Sequence, residues 1–414
     1  MTVCSKAAME ENLAGPGQVP GAGLIALYRR WAAGGAGLLI TGNVMVHAEA
    51  LTGPGGVVLD EAAPLEPFAE WAEAAKSGGG AVRMQINHPG RQVQAAMPGV
   101  VWGPSDVGVD LGRHSNRFGR PTAMTSGRIE ATVARFAATA RRAEEAGFDG
   151  VEVHAAHGYL LSQFLSPLVN RRTDAWGGPL EHRARMLLDV VAAVRAVVSP
   201  SFAVGVKLNS ADFQRGGFGV DDARRVIAML EPLDVDPVEL SGGSYESPAM
   251  TGRPADTRTR SREAYFLDLA RDLVTTSPLP LMLTGGITRR DTADPVLDSG
   301  VAQIGMGTAL AVTPDLPERR RNGREADRQL RPVTWTDKAL ASAEHGAGPP
   351  PDAPHRPRRR PSARNPPGAR PALRATPAAA GTAPLPRPAA HRRNLTPPGP
   401  RRVAADRPRP HMGG

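Results

Sequence analysis

The sequence contains a single cysteine, Cys4, in 414 residues. That excludes an internal disulfide framework, a cysteine zinc cluster and an iron–sulfur cluster held by this chain alone, and makes a reducing cytoplasm the expected location. No apolar run reaches the roughly 18–20 residues of a membrane span, and the opening MTVCSKAAMEEN lacks the apolar core of a signal peptide, so a soluble, unexported protein is expected. Aromatic residues are scarce, at 4%, but apolar residues at 41% suffice for a sizeable core, which excludes fibrous and wholly disordered classes. No Gly-x-Gly-x-x-Gly follows a strand pattern and opens a helix. A resident Rossmann domain is therefore not expected, and any nicotinamide has to visit.

The net charge of +9 suggests nucleic acid until it is divided along the chain. Residues 345–414 hold 14 arginines and no lysine against Asp352 and Asp406, a charge of +12 that leaves the rest at −3. The same stretch has 18 of the 40 prolines and no Phe, Trp or Tyr, too little apolar surface to offset the entropy of ordering. The expectation is a domain over 1–343 and a disordered basic tail over 344–414, able to hold nucleic acid only nonspecifically.

Within the first part, short β-branched runs alternate with runs of helical period eight times over. Strands are expected near Val3–Ala8, Gly37–Gly42, Ala81–Ile86, Gly150–His154, Ala203–Leu208, Pro237–Leu240, Pro280–Thr284 and Val301–Gly305. The helices fall near Gly23–Ala33, Leu65–Lys76, Arg128–Ala146, Leu180–Val198, Asp221–Leu230, Arg262–Thr275, Arg290–Asp298 and Trp335–Ala343. In the third helix Ile129, Val133, Phe136 and Ala140 recur every three or four residues and Gly147 follows as a stop; in the seventh, Pro295 interrupts the pattern. Eight such pairs predict a (β/α)8 TIM barrel, with chemistry at the carboxyl ends of the strands.

Those ends are unusually polar. The third reads RMQINHPGRQ, placing Gln85 in the barrel mouth, where its amide suits a ring edge that both donates and accepts or simply bonds neighbouring backbone; His88 reads as a histidine that fixes the loop. After the fourth strand, EVHAAHGYLLSQFLSP aims His154, His157 and Tyr159 into one cavity. Two imidazoles can grip a carbonyl oxygen and a phenol can supply a proton, whereas His-x-x-His with Glu152 upstream is also a metal pattern. The metal reading leads to a metal- or phosphate-dependent barrel lyase, although a third ligand is not evident nearby. The fifth strand points Lys207 inward, toward an electron-rich ring or a barrel carboxylate. The seventh and eighth end in LTGGI and QIGMGTAL, with Gly285, Gly286, Gly307 and Thr308 at turns where barrels bind phosphate through bare amides.

Taken together, KAAMEE, QINHPGRQ, EVHAAHGYLLSQFLSPLVNRRTDAWGG, VGVKLNSADF, LTGG and IGMG resemble the Old Yellow Enzyme family over about residues 5–343. The resemblance implies an FMN-containing barrel, an ene-reductase that takes hydride from NADH or NADPH and reduces small activated alkenes. It implies Ala7, Ala8 and Met9 against the flavin, Gly42 approaching it, Gln85 on the pyrimidine edge and Lys207 near N1 and O2, where many members carry arginine. His154 and His157 then hold the substrate carbonyl and Tyr159 donates the proton. Thr308 stands where relatives usually have an arginine, which removes a bidentate phosphate clamp and predicts weaker flavin binding. A homo-oligomer is left open. An impaired flavin barrel with a nucleic-acid-binding tail is the remaining alternative.

Overall fold

Eight parallel strands close on themselves in this computed structural model, which describes residues 4–247 and 270–324. They are β1 (Cys4–Lys6), β2 (Leu38–Ile40), β3 (Ala81–Asn87), β4 (Gly150–Ala155), β5 (Ala203–Asn209), β6 (Val238–Ser241), β7 (Leu281–Thr284) and β8 (Gln303–Met306). Each pairs in parallel with the next, and β8 returns to β1, so no edge is left unpaired. The chain is a (β/α)8 barrel, and every expected strand is present, several trimmed by a residue or two. Two-residue strands Val44–Met45 and Val57–Val58 extend the sheet beside β3.

Around the barrel run α1 (Ala22–Ala33), α2 (Glu66–Lys76), α3 (Ser126–Glu145), α4 (Leu160–Leu165), α5 (Leu180–Arg195) and α6 (Val220–Leu230), followed by α7 (Arg290–Asp298), α8 (Thr308–Val312) and α9 (Leu316–Arg321). Thr125 caps α3 by accepting from the Arg128 amide. Pro295 sits inside α7 without ending it, at the cost of the one hydrogen bond that its missing N–H would donate to Asp291. The helix before β7 is described over 270–276, so most of its expected span, the expected helix Trp335–Ala343 and the basic tail lie outside the described residues. None of the described helices is long and apolar enough to cross a membrane.

Strand alternation sorts the side chains. Val82, Met84 and Ile86 of β3, Val151 and Val153 of β4 and Val204, Val206 and Leu208 of β5 join the helices in one continuous core. The alternate residues Gln85, Glu152, His154, Lys207, Glu239 and Thr284 therefore face the barrel interior, and all are buried. Each large apolar side chain buried on the outer face contributes roughly 1.5–3 kcal/mol, which offsets the cost of placing so many polar groups inside.

Candidate active site

The loop leaving β1 is pinned from below by a cluster that motif reading missed. Lys6 Nζ donates to Glu11 Oε1 at 2.9 Å, to the Tyr28 hydroxyl at 3.0 Å and to the Ile40 carbonyl at 2.9 Å. Tyr28 donates on to Glu11 at 2.8 Å and accepts from the Gly42 amide at 3.0 Å. These bonds fix Ala7, Ala8 and Met9 at the barrel mouth, where the Ala7 amide donates to the Met306 carbonyl at 3.1 Å. Gly42 has no room for a side chain, since a Cβ would lie 2.1 Å from both the Met9 carbonyl oxygen and Glu11 Oε2. Its close neighbour is thus the β1 loop.

On β3 to β6 the inward groups bond to one another. Gln85 Nε2 donates to Glu152 Oε2 at 2.6 Å, and Lys207 Nζ donates to Glu239 Oε1 at 2.5 Å. Thr284 Oγ1 adds a bond to the same Glu239 oxygen at 2.8 Å. Lys207 therefore has a barrel carboxylate as partner. Burial pushes its affinity for a proton down, but Glu239 and Glu152 outweigh that and raise it, so the ammonium stays charged.

Above this floor stand the three residues of the EVHAAHGY motif. His154 Nδ1 accepts from the Ala156 amide at 3.2 Å, and burial holds the ring well below the ordinary histidine pKa. The neutral ring then carries its proton on Nε2, free to donate. His157, in the left-handed region at φ 59°, contacts Ser241 Oγ through Nε2 at 2.6 Å, and burial followed by the Lys207 charge lowers its pKa to about 3. The His154 ring lies 5.1 Å from His157 and 4.8 Å from Tyr159, centre to centre. Burial, then Tyr245 and Glu10, push the Tyr159 hydroxyl well above its usual pKa, so it is a protonated donor at neutral pH. Its oxygen is 3.3 Å from that of Tyr245, a neighbour that no motif signalled.

The loops close over this cluster. Arg91 after β3 pairs with Glu246 after β6 at 2.5 Å, and Phe118 packs against Tyr245. His88 serves its loop, accepting from the Gly90 amide at 3.1 Å, with burial lowering its pKa to about 3. Among the described residues no three His, Cys, Asp or Glu side chains converge as metal ligands, so Glu152, His154 and His157 do not form a metal triad.

At β7 and β8 glycines form the turns. Gly285 and Gly286 have φ of 102° and 71°, and a Cβ on Gly285 would meet nothing within 4 Å. A Cβ on Gly307 would lie 3.5 Å from Met9 Cγ, so this turn adjoins the β1 loop, while Thr308 is exposed at the start of α8. Among the described residues, buried polar atoms without partners remain nearby: Asn43 Oδ1, both side-chain heteroatoms of Asn87, and Ser244 Oγ.

The profile of the NADH:flavin oxidoreductase / NADH oxidase family matches residues 4–327. The chain is 36% identical over 335 residues to the NADH-dependent flavin oxidoreductase iliE of Hypocrea jecorina, covering 76% of this chain and 83% of that one. It is 39% identical to nadA of Aspergillus parasiticus, covering 67% of this chain and 64% of that one. Among solved structures, the old yellow enzyme homologue of Zymomonas mobilis superposes with a TM-score of 0.66 at 25% identity, covering 82% and 94% of the two chains. A 2-naphthoyl-CoA reductase complex gives 0.70 at 27% identity, with this chain spanning 50% of its length. The chain belongs to the NADH:flavin oxidoreductase / NADH oxidase family of FMN-dependent oxidoreductases, the Old Yellow Enzyme family that its motifs resemble.

Proposed function

We propose that this chain is an ene-reductase acting on small alkenes conjugated to an electron-withdrawing carbonyl. The observation that carries the reading is the clustering of a donor-ready His154 Nε2, His157 and a protonated Tyr159 above the interior cation Lys207. FMN would lie across the mouth, held by Ala7, Ala8, Met9, Gly42, Gln85 and Lys207, with its phosphate at the amides of Gly285, Gly286, Gly307 and Thr308. The orphaned Asn87 amide and the open space at Gly285 fit a ligand that supplies polar partners and approaches bare backbone. When bound, FMN would relay hydride from NADH or NADPH to the β-carbon of the alkene. His154 and His157 hold the carbonyl oxygen and stabilise the negative charge that develops there. Tyr159 delivers its proton to the α-carbon, and the burial that raises its pKa keeps the hydroxyl protonated until that step.

Purified protein is expected to be yellow with one FMN per chain. Anaerobically, NADH or NADPH should bleach it and 2-cyclohexenone should restore the colour. Protein that binds no flavin after reconstitution, or reduced protein that an enone leaves bleached, would overturn the assignment.

A further inference from the structure

Glu152 and Glu239 face each other across β5, where Gly205, opposite Glu152 in register, puts no side chain between them. They are 3% and 1% exposed. The bonds already described occupy Glu152 Oε2 and Glu239 Oε1, yet Glu239 Oε2 is buried with no donor among the described residues. Each carboxyl is a buried neighbour that shifts the proton affinity of the other. Two neighbouring buried carboxylates without a proton repel each other, and a proton held between them would supply the donor that Glu239 Oε2 lacks. Burial and the neighbouring Glu239 push Glu152 well above the ordinary carboxylic range, whereas at Glu239 burial is outweighed by the Lys207 charge together with the hydrogen-bonding neighbours Glu152, Lys207 and Thr284, which leave it below.

We infer that Glu152 and Glu239 share one proton and act together as the counter-charge of Lys207, so that the pair sets how strongly this floor stabilises negative charge above it. The inference deepens the flavin reading, because the ring edge proposed there lies over Lys207. With one proton on the pair, Glu152, Glu239 and Lys207 sum to zero. Arg83, inward from β3, Lys6 beside the floor and the neutral rings of His154 and His157 complete the surroundings and are the same in every variant below. Removing either carboxylate should leave the sum unchanged: Glu152→Gln replaces a neutral acid by a neutral amide, and Glu239→Gln lets Glu152 release the proton and take over Lys207. Only the double variant exposes the ammonium.

Infrared difference spectra of the protein as purified, with or without flavin, test this at neutral pH. Wild type minus Glu152→Gln and wild type minus Glu239→Gln should both show a lost carboxylic-acid C=O stretch, the second from a residue that was not mutated. Circular dichroism verifies folding, and if Glu239→Gln fails to fold, Glu152→Gln decides by losing an acid band or a carboxylate band. In flavin-loaded protein the midpoint potential should stay put in each single variant and rise in the double. Loss of carboxylate bands alone, or a potential raised as far by Glu239→Gln as by the double variant, would overturn the shared proton. Because the infrared result needs no flavin, its failure is distinguishable from failure of the functional reading.

Discussion

The two sides of the barrel mouth are built by opposite means. From β3 to β6 the interior is crowded with charged and amide side chains that satisfy one another, Gln85 with Glu152 and Lys207 with Glu239, before any ligand arrives. At β7 and β8 the turns are glycine, and among the described residues a Cβ on Gly285 would meet nothing within 4 Å. The first side can adjust charge and direct protons, because its groups titrate and donate. The second can only offer backbone amides and room, which is what a phosphate requires. On the proposed reading, recognition of a ring and of its phosphate would be separated by strand, and the two sides should respond differently to substitution.

The largest effect is expected at the chemistry above the crowded side. Tyr159→Phe should slow oxidation of the reduced flavin by an enone by about 100-fold while leaving reduction by the nicotinamide nearly intact. Stopped-flow traces in which both halves slow equally would assign Tyr159 a structural role.

Next comes Gly42→Ala, whose Cβ would collide with the Met9 carbonyl in the pinned β1 loop. Overpacking against backbone predicts a loss of about 2 kcal/mol, read as a lower urea midpoint. An unchanged midpoint would mean that the Lys6–Glu11–Tyr28 cluster does not hold the loop rigidly.

Acid should destabilise the histidine side of the mouth. The folded pKa of His88 is about 3, below its unfolded value, so between these limits the unfolded chain binds the extra proton. Stability is complete above about pH 6.5 and falls by about 1.4 kcal/mol per pH unit below it for this one group. His88→Gln should flatten the stability curve between pH 6 and 4 by that slope, and parallel curves for the two proteins would contradict the buried neutral ring.

The smallest effect belongs to the glycine side. Gly285→Ala meets no neighbour, so its cost is only the backbone strain at φ 102°, about 1 kcal/mol. If it instead cost more than Gly42→Ala in the ligand-free protein, the contrast between the two sides would be wrong.

The barrel itself was legible because a parallel sheet under helices needs continuous apolar runs alternating with amphipathic ones, and those periods survive in the chain from Cys4 to Met306. The EVHAAHGY motif was legible because its three side chains lie within six residues. Partners that meet only through folding were not. Lys207 and Glu239 are 32 residues apart, Tyr159 and Tyr245 are 86 apart, and nothing local marks either pair. Glu11 was passed over for the same reason, since its role depends on Tyr28 and Lys6 arriving together. The short helices α8 and α9 escaped because five or six residues span too few turns to show a period.

On the proposed reading, an activated alkene takes electrons from this site. With the protein loaded with FMN and reduced anaerobically by one equivalent of NADH, rapid mixing with 2-cyclohexenone should return the oxidised flavin spectrum in a single phase and yield one equivalent of cyclohexanone. Reoxidation by oxygen alone, with the enone recovered unchanged, would contradict it.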